Sequence, residues 1–167
     1  MKRAESEGGE GGNAEKGENE GLLVRRIRSG TVIDHIAAGE ALNVVKILGI
    51  TGTTTEALSI ATNVPSGQMG KKDIVKLNNR ELSKQEVDRI ALISPHATIN
   101  IIRNFKVCEK KGVEIPDVVE GLVRCPNPGC ITNTNEPIAS RFSVTGKGLR
   151  CAYCDWIIGH DITSYIL

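Results

Sequence analysis

"SKQEVDRIALISPHATINIIRNFKVCEK", residues 83–110, places two different periodicities back to back, and the switch between them points to one architecture. Ser83 with Glu86 three residues on forms a capping-box pattern, and Val87, Ile90 and Ala91 continue an apolar stripe at helical spacing until Pro95. From Ala97, "ATINIIRNFKVCEK" reads instead as one long strand. A helix that delivers its chain straight into a strand is half of a βαβ-type unit, so the other half is expected upstream.

It is there. "LLVRRI" (22–27) and "TVIDHI" (31–36) are short β-type runs separated by Ser29 and Gly30. Between Ala37 and Leu48 the residues Ala41, Leu42, Val44, Val45, Ile47 and Leu48 recur at three-and-four spacing, and Gly49 closes that helix. "EALSIATNV" (56–64) reads as a strand, "PSGQMGKK" (65–72) as a turn and "DIVKLNN" (73–79) as a second strand, giving a hairpin over 56–79. The order strand, helix, strand, strand, helix, strand predicts an α+β, ferredoxin-like split βαβ domain with both helices on one face of the sheet.

The flanks differ from this unit. Residues 1–20 carry six glutamates against Lys2, Arg3 and Lys16 and offer almost nothing to bury, which predicts a disordered acidic, Gly-rich tail. "KKGVEIPDVVEGLVRC" (110–125) is punctuated by Gly112 and Pro116, so a boundary is expected near Pro116, dividing residues 21–115 from 116–167. No internal repeat is visible.

Composition narrows the function classes. With 40% hydrophobic and 25% charged residues the chain is of ordinary globular type, and its apolar stretches are too short and too broken by charge to span a membrane. The first residues lack the apolar segment of a secretory signal, which predicts a cytoplasmic chain with no membrane partner. A net charge of +1 and 3% aromatic residues supply neither a basic footprint nor stacking platforms, an argument against nucleic-acid binding.

The second region holds the strongest single motif. Four residues separate Cys125 from Cys130, two separate Cys151 from Cys154, and twenty lie between the pairs, with Pro126, Pro128 and Gly129 as turn formers in the first knuckle. This spacing favours zinc over two disulfides or four buried thiols, and four thiolates leave no open coordination position, so one structural Zn²⁺ per chain is expected. About fifty residues scarcely fold without such a staple. Cys108 stands outside the spacing and reads as a small buried hydrophobe. The apolar runs "FSV", "DWII" and "ITSYIL" read as strands and favour a small β-rich zinc ribbon that docks on a protein, while Arg124, Arg141, Lys147 and Arg150 keep nucleic acid open as the alternative.

Two enzyme readings fail. "GQMGKK" suggests a P-loop, but Pro65 stands where the first glycine is needed and Lys72 where Ser or Thr ligates Mg²⁺. Asp34 and His35 are adjacent, and in a regular strand they point to opposite faces, so they act on one atom only if the strand ends or bends there; no nucleophile, open metal position or oxyanion donors accompany them.

Taken in order, "RSGTVIDHI", "NVPSGQMGKKDIVKLNN", "LSKQEVDRIALISPHATINII" and the four-cysteine set resemble the regulatory chains of aspartate carbamoyltransferase over about residues 22–158. The resemblance implies a non-catalytic subunit with an N-terminal allosteric domain for nucleoside triphosphates and a C-terminal zinc domain that docks on the catalytic chain. It implies regulatory homodimers linking two catalytic trimers into a dodecamer with three regulatory dimers. CTP would act as feedback inhibitor in pyrimidine biosynthesis and ATP as activator, with family members differing in their response to UTP. It places Asp34 near the base and ribose, His35 near the phosphates, Lys76 near the ribose and base, and Lys110 on the triphosphate. Val24, Arg26 and Ile27 would flank the nucleotide from the N-terminal strand, with Ile74, Asn100, Ile102, Phe105 and Val107 completing the pocket. The chain departs from the family pattern in its longer acidic tail, in Phe105 where tyrosine is frequent, and in Gly129 where a second asparagine is common.

Overall fold

The structure, a computed structural model, describes residues 25–52 and 55–167. The expected tail and Leu22 to Val24 of the first β-type run lie outside the described residues, and Arg25 to Ile27 carry no regular structure. β1 (Gly30–Ala37), α1 (Ala41–Ile47), β2 (Leu58–Ser66), β3 (Gly70–Asn78), α2 (Lys84–Ile93) and β4 (Thr98–Arg103) follow the split βαβ order. A further strand, β5 (Lys106–Gly112), completes an antiparallel sheet ordered β2-β3-β1-β4-β5.

β5 corrects the expectation of one long final strand. Asn104 and Phe105 both take positive φ, 50° and 63°, the signature of a two-residue turn that folds the segment back on itself. Glycine usually occupies the second turn position, so Phe105 concealed the turn. Two smaller corrections concern length. The hairpin strands run through Pro65, Lys71 and Lys72, leaving only Gly67 to Met69 as turn, and Pro65 is tolerated because β2 is an edge strand. Helix α1 starts four residues later than expected because Ala37 still belongs to β1, and Leu42 is 67% exposed, outside the core.

Both helices cover one sheet face. Ile33, Ile36, Val75, Leu77 and Ile99 from the strands meet Ala41, Val44 and Ile90 from the helices in a buried core. Ser83 caps α2 as its sequence predicts: the hydroxyl accepts from Glu86 N–H, and the Glu86 carboxylate accepts from Ser83 N–H. Ser83→Ala is expected to cost about 1 kcal/mol of stability, measured as a lower urea midpoint.

The remaining residues build a second antiparallel sheet ordered β6-β7-β8-β9, from Val118–Glu120, Arg141–Thr145, Gly148–Cys151 and Ile157–Ile158. Its core holds Val119, Leu122, Val123, Phe142, Leu149 and Ile158, and Leu92 of α2 packs against it, so one helix touches both cores. "ITSYIL" is not a strand: Ile162–Tyr165 forms a 3-10 turn entered at Asp161, whose φ is 55° and whose carboxylate accepts from Ser164 Oγ at 2.6 Å. Cys108 also departs from expectation. It is exposed, on an edge strand whose every residue is exposed.

Candidate functional site

The sheet face opposite the helices carries no helix or further strand among the described residues, and strand register places the chemistry-bearing residues on it. Cross-strand partners share a face. Val32 pairs with Lys76 on one side and Asn100 on the other, and Asn100 pairs with Lys110, so Lys76, Val32, Asn100 and Lys110 form one row across four strands. Ile74 lies two residues from Lys76 on that face, as Ile102 does from Asn100, and Val107 pairs with Ile102. The neighbouring row, Val75, Ile33 and Ile99, is buried under the helices.

Asp34 and His35 join this face through a β-bulge. Ile33 pairs with Val75 and Ile36 with Asp73, so Asp34 and His35 together oppose the single residue Ile74. His35 takes φ 55°, and its N–H donates to Asp34 Oδ1 at 2.7 Å. The bend brings His35 Nδ1 to 3.7 Å from Asp34 Oδ2, and that buried nitrogen makes no hydrogen bond among the described residues. The strand therefore bends at the one place where adjacent residues could serve the same ligand.

Sequence reading missed the cation that completes the cluster. Lys72 Nζ lies 2.8 Å from Asp34 Oδ1 with the side chain only 16% exposed. Burial works to raise the Asp34 carboxyl, but hydrogen bonds from Lys72 and the His35 N–H, with both neighbouring charges, outweigh it and hold its pKa below the ordinary value. The signal was present: Lys72, Ile74 and Lys76 alternate along β3 with the period of one strand face. Burial, with Arg26 nearby, draws the Lys76 pKa down against the pull of Asp34.

The segment entering β1 is tied down over this face. Lys76 Nζ donates to the Arg25 carbonyl at 2.8 Å, and Phe105 N–H donates to the Arg28 carbonyl at 2.9 Å. Ile27 in this segment is buried, whereas Phe105 and Val107 are 56% and 59% exposed. Of the sequence-predicted positions, Asp34, His35, Ile74, Lys76, Asn100, Ile102, Val107 and Lys110 thus share one face, Arg26, Ile27 and Phe105 border it, and Val24 lies outside the described residues.

The four cysteines meet at a second centre. Their Sγ atoms all lie within 4.8 Å of one another, with 3.5 Å between Cys125 and Cys154 and 3.8 Å between Cys130 and Cys151. A tetrahedral ion bound at about 2.3 Å requires S···S edges of about 3.8 Å, so the donor set fits. None of the four is in a disulfide. The knuckle is braced by Asn133 Nδ2, which donates to the carbonyls of Cys125 and Asn127 at 2.8 and 2.7 Å, while Cys130 N–H donates to Asn127 O at 3.0 Å and Thr132 Oγ1 donates to Cys130 Sγ at 3.2 Å. Burial pushes the Cys125 and Cys151 thiols up; at Cys154 burial is outweighed by hydrogen bonds from Asn127 and Trp156, which bring it down to about 7. A metal here must displace protons from buried thiols, which ties its affinity to pH.

An α+β domain with one open, partly cationic sheet face, joined through a shared helix to a small β-rich domain whose four cysteines could hold a metal ion, defines a two-domain protein with a cysteine-cluster metal-binding unit. Comparison with known proteins gives the same class a family. Residues 22–114 match the family model of the aspartate carbamoyltransferase regulatory chain, allosteric domain, and residues 117–164 that of its metal binding domain. The aspartate carbamoyltransferase regulatory chain of Methanoregula boonei is 76% identical over 153 residues, covering 90% of this chain and 93% of the relative. Those of Methanoculleus marisnigri and Methanosphaerula palustris are 69% and 65% identical, covering 91% and 92% of this chain and 98% and 99% of the relatives. The chain belongs to the family of aspartate carbamoyltransferase regulatory chains and is a non-catalytic subunit whose counterpart is a catalytic chain. No helix among the described residues is long and apolar enough to cross a membrane.

Proposed function

We propose that the open sheet face binds nucleoside triphosphates, CTP and ATP and by extension UTP, and that their binding controls catalytic chains in pyrimidine biosynthesis. The observation that carries this reading is the row of Lys76, Asn100 and Lys110 in register across four strands, with Asp34, His35 and Lys72 beside it. The strand spacing of about 4.8 Å puts Lys76 and Lys110 about 14 Å apart, a distance on the scale of an extended nucleotide. Lys110 at one end takes the triphosphate, Asp34 and Lys76 take ribose and base, and the His35 ring, whose Nδ1 makes no hydrogen bond among the described residues, supplies a further polar contact to the phosphates.

The chain divides functionally into a tail (1–20), an allosteric domain (21–115) and a metal domain (116–167). The metal is Zn²⁺, because four thiolates in a tetrahedron with no open position suit that ion and a purely structural role. The metal domain docks on the catalytic chain; exposed Ile131, Tyr153, Trp156 and Ile157 supply the apolar surface such docking needs. Regulatory homodimers then join two catalytic trimers into a cytoplasmic dodecamer. Control is a coupling free energy: a nucleotide shifts activity only to the extent that its affinity differs between two quaternary states, and α2, which contributes Ile90 to one core and Leu92 to the other, is the element both domains share.

Lys110→Ala is the direct test. Loss of a charge-assisted phosphate contact is expected to weaken CTP and ATP binding by about 1.5 to 3 kcal/mol, roughly ten-fold to a hundred-fold, while assembly with catalytic trimers persists. Unchanged affinities by isothermal titration would remove the assignment. The wild-type chain alone should bind CTP and form no carbamoyl aspartate; reconstituted with catalytic trimers, it should make their aspartate dependence respond to nucleotide.

A further inference from the structure

We propose that the glutamate-rich stretch at residues 5–20 is an intramolecular competitor for the cationic open face, so that a nucleotide must displace part of this chain in order to bind. The inference builds on the nucleotide reading of that face. Residues 5–20 hold six glutamates, Glu5, Glu7, Glu10, Glu15, Glu18 and Glu20, against Lys16 alone. The face opposite them in charge carries Lys72, Lys76 and Lys110, with Arg26 at its border and Asp34 as its carboxylate.

Arg25, the first described residue, gives its carbonyl to Lys76 Nζ at 2.8 Å, so the described chain begins beside the cationic row. Glu20, Glu18 and Glu15 stand 5, 7 and 10 residues before Arg25. At up to about 3.3 Å per residue these glutamates reach about 16, 23 and 33 Å, and the row from β3 to β5 spans only about 14 Å. Every cation of the row is therefore within reach of at least two carboxylates. A short tether holds such groups at an effective concentration on the order of millimolar, enough for a weak carboxylate–ammonium attraction to matter.

The contest is unequal by design of charge. A triphosphate concentrates its negative charge within a few ångströms, whereas the glutamates are spread along the chain, so nucleotide wins once present and the acidic stretch raises the concentration at which it does so. Each contact is exposed and screened, and the effect must fade with salt.

Zero-length carbodiimide coupling of the full chain, followed by peptide mapping, is the first arm of the test. Amide links from Glu15, Glu18 or Glu20 to Lys72, Lys76 or Lys110, suppressed by inorganic triphosphate, are expected; links no more frequent than those to exposed Lys147, or indifferent to triphosphate, would overturn the proposal. The second arm compares CTP affinity of the full chain with a chain lacking residues 2–20. At low ionic strength the shortened chain should bind roughly two-fold to ten-fold tighter, with the gap closing as the Debye length shrinks toward about 3 Å near 1 M salt. Equal affinities at low salt would refute competition. If neither chain binds CTP while triphosphate still suppresses the links, the nucleotide reading fails and with it the competition with nucleotide, while occupancy of the face by the acidic stretch stands.

Discussion

Cys151→Ala is expected to unfold residues 116–167 and abolish docking on the catalytic chain, and stripping the metal with a chelator should do the same to the native sequence. Cys151 is fully buried, sits on β8 opposite Phe142, and its N–H donates to Trp156 O at 2.8 Å, so the thiolate belongs to the metal centre and its backbone to the knuckle. The apolar core of this domain is small, and a unit of about fifty residues buries too little surface to offset its chain entropy. The apparent folding free energy that a structural Zn²⁺ supplies is about 10 to 16 kcal/mol, which exceeds the whole stability of most domains of this size. Trp156, the single tryptophan of the chain, lies in this domain and reports on it alone. Trp156 is half-exposed in the folded domain, so its emission should move only the remaining way toward that of a fully solvated indole, while the first domain keeps most of its structure, losing only the cover over Leu92. Native Trp156 emission and intact catalytic-chain binding after complete metal removal would contradict this.

The parts of the fold legible in sequence were those where a local pattern has one physical solution. Ser83 and Glu86 could only satisfy the first backbone donors of a helix, and the four cysteines have a spacing that few other uses explain. The order of elements from β1 to β4 followed from hydrophobic period together with the glycines, the prolines and the helix cap that bound each run. What stayed hidden was set by long-range contact or by uncharacteristic residues. The turn at Asn104 and Phe105 lacks the glycine that announces such turns, so β4 and β5 read as one strand and Cys108 as part of its interior. The 3-10 turn at Ile162–Tyr165 alternates apolar and polar residues well enough to imitate a strand. The bulge at His35 is invisible locally because it is defined by its partner strand: two residues of β1 against one of β3. Lys72 was recognised only as a misfit in a P-loop, since its partner Asp34 lies far away in sequence and adjacent only in space. The candidate nucleotide face was therefore nameable residue by residue through family likeness, while its geometry depends on register that no single segment contains.

The largest effect expected in the first domain comes from a residue that sequence reading left as an ordinary strand position. Asp73 is fully buried, and its carboxylate accepts three backbone N–H groups: Gly39 at 2.9 Å and Ala41 at 3.0 Å on Oδ2, and Asn63 at 2.8 Å on Oδ1. Gly39 and Ala41 lead into α1, and Asn63, at φ 56°, lies in a second bulge, where Thr62 and Asn63 of β2 oppose Asp73 itself. One side chain thus fixes the start of a helix, the kink of an edge strand and the stretch of β3 between Lys72 and Ile74, on which the candidate nucleotide face depends. Asp73→Ala removes all three acceptors, and unsatisfied buried donors cost about 1 to 3 kcal/mol each, so a loss of about 3 to 6 kcal/mol is expected even with partial relaxation. Asp73→Asn keeps one acceptor oxygen but turns an amide N–H₂ toward a backbone donor, and it should recover only a minority of that loss. Urea unfolding followed by far-ultraviolet circular dichroism should show the first domain melting early while Trp156 emission, in the metal domain, keeps its native midpoint; nucleotide affinity should fall in step with the folded fraction. A change below about 1 kcal/mol in Asp73→Ala would mean that the three donors find other partners at little cost, and that the bulges beside the open face are held by strand pairing rather than by this buried carboxylate.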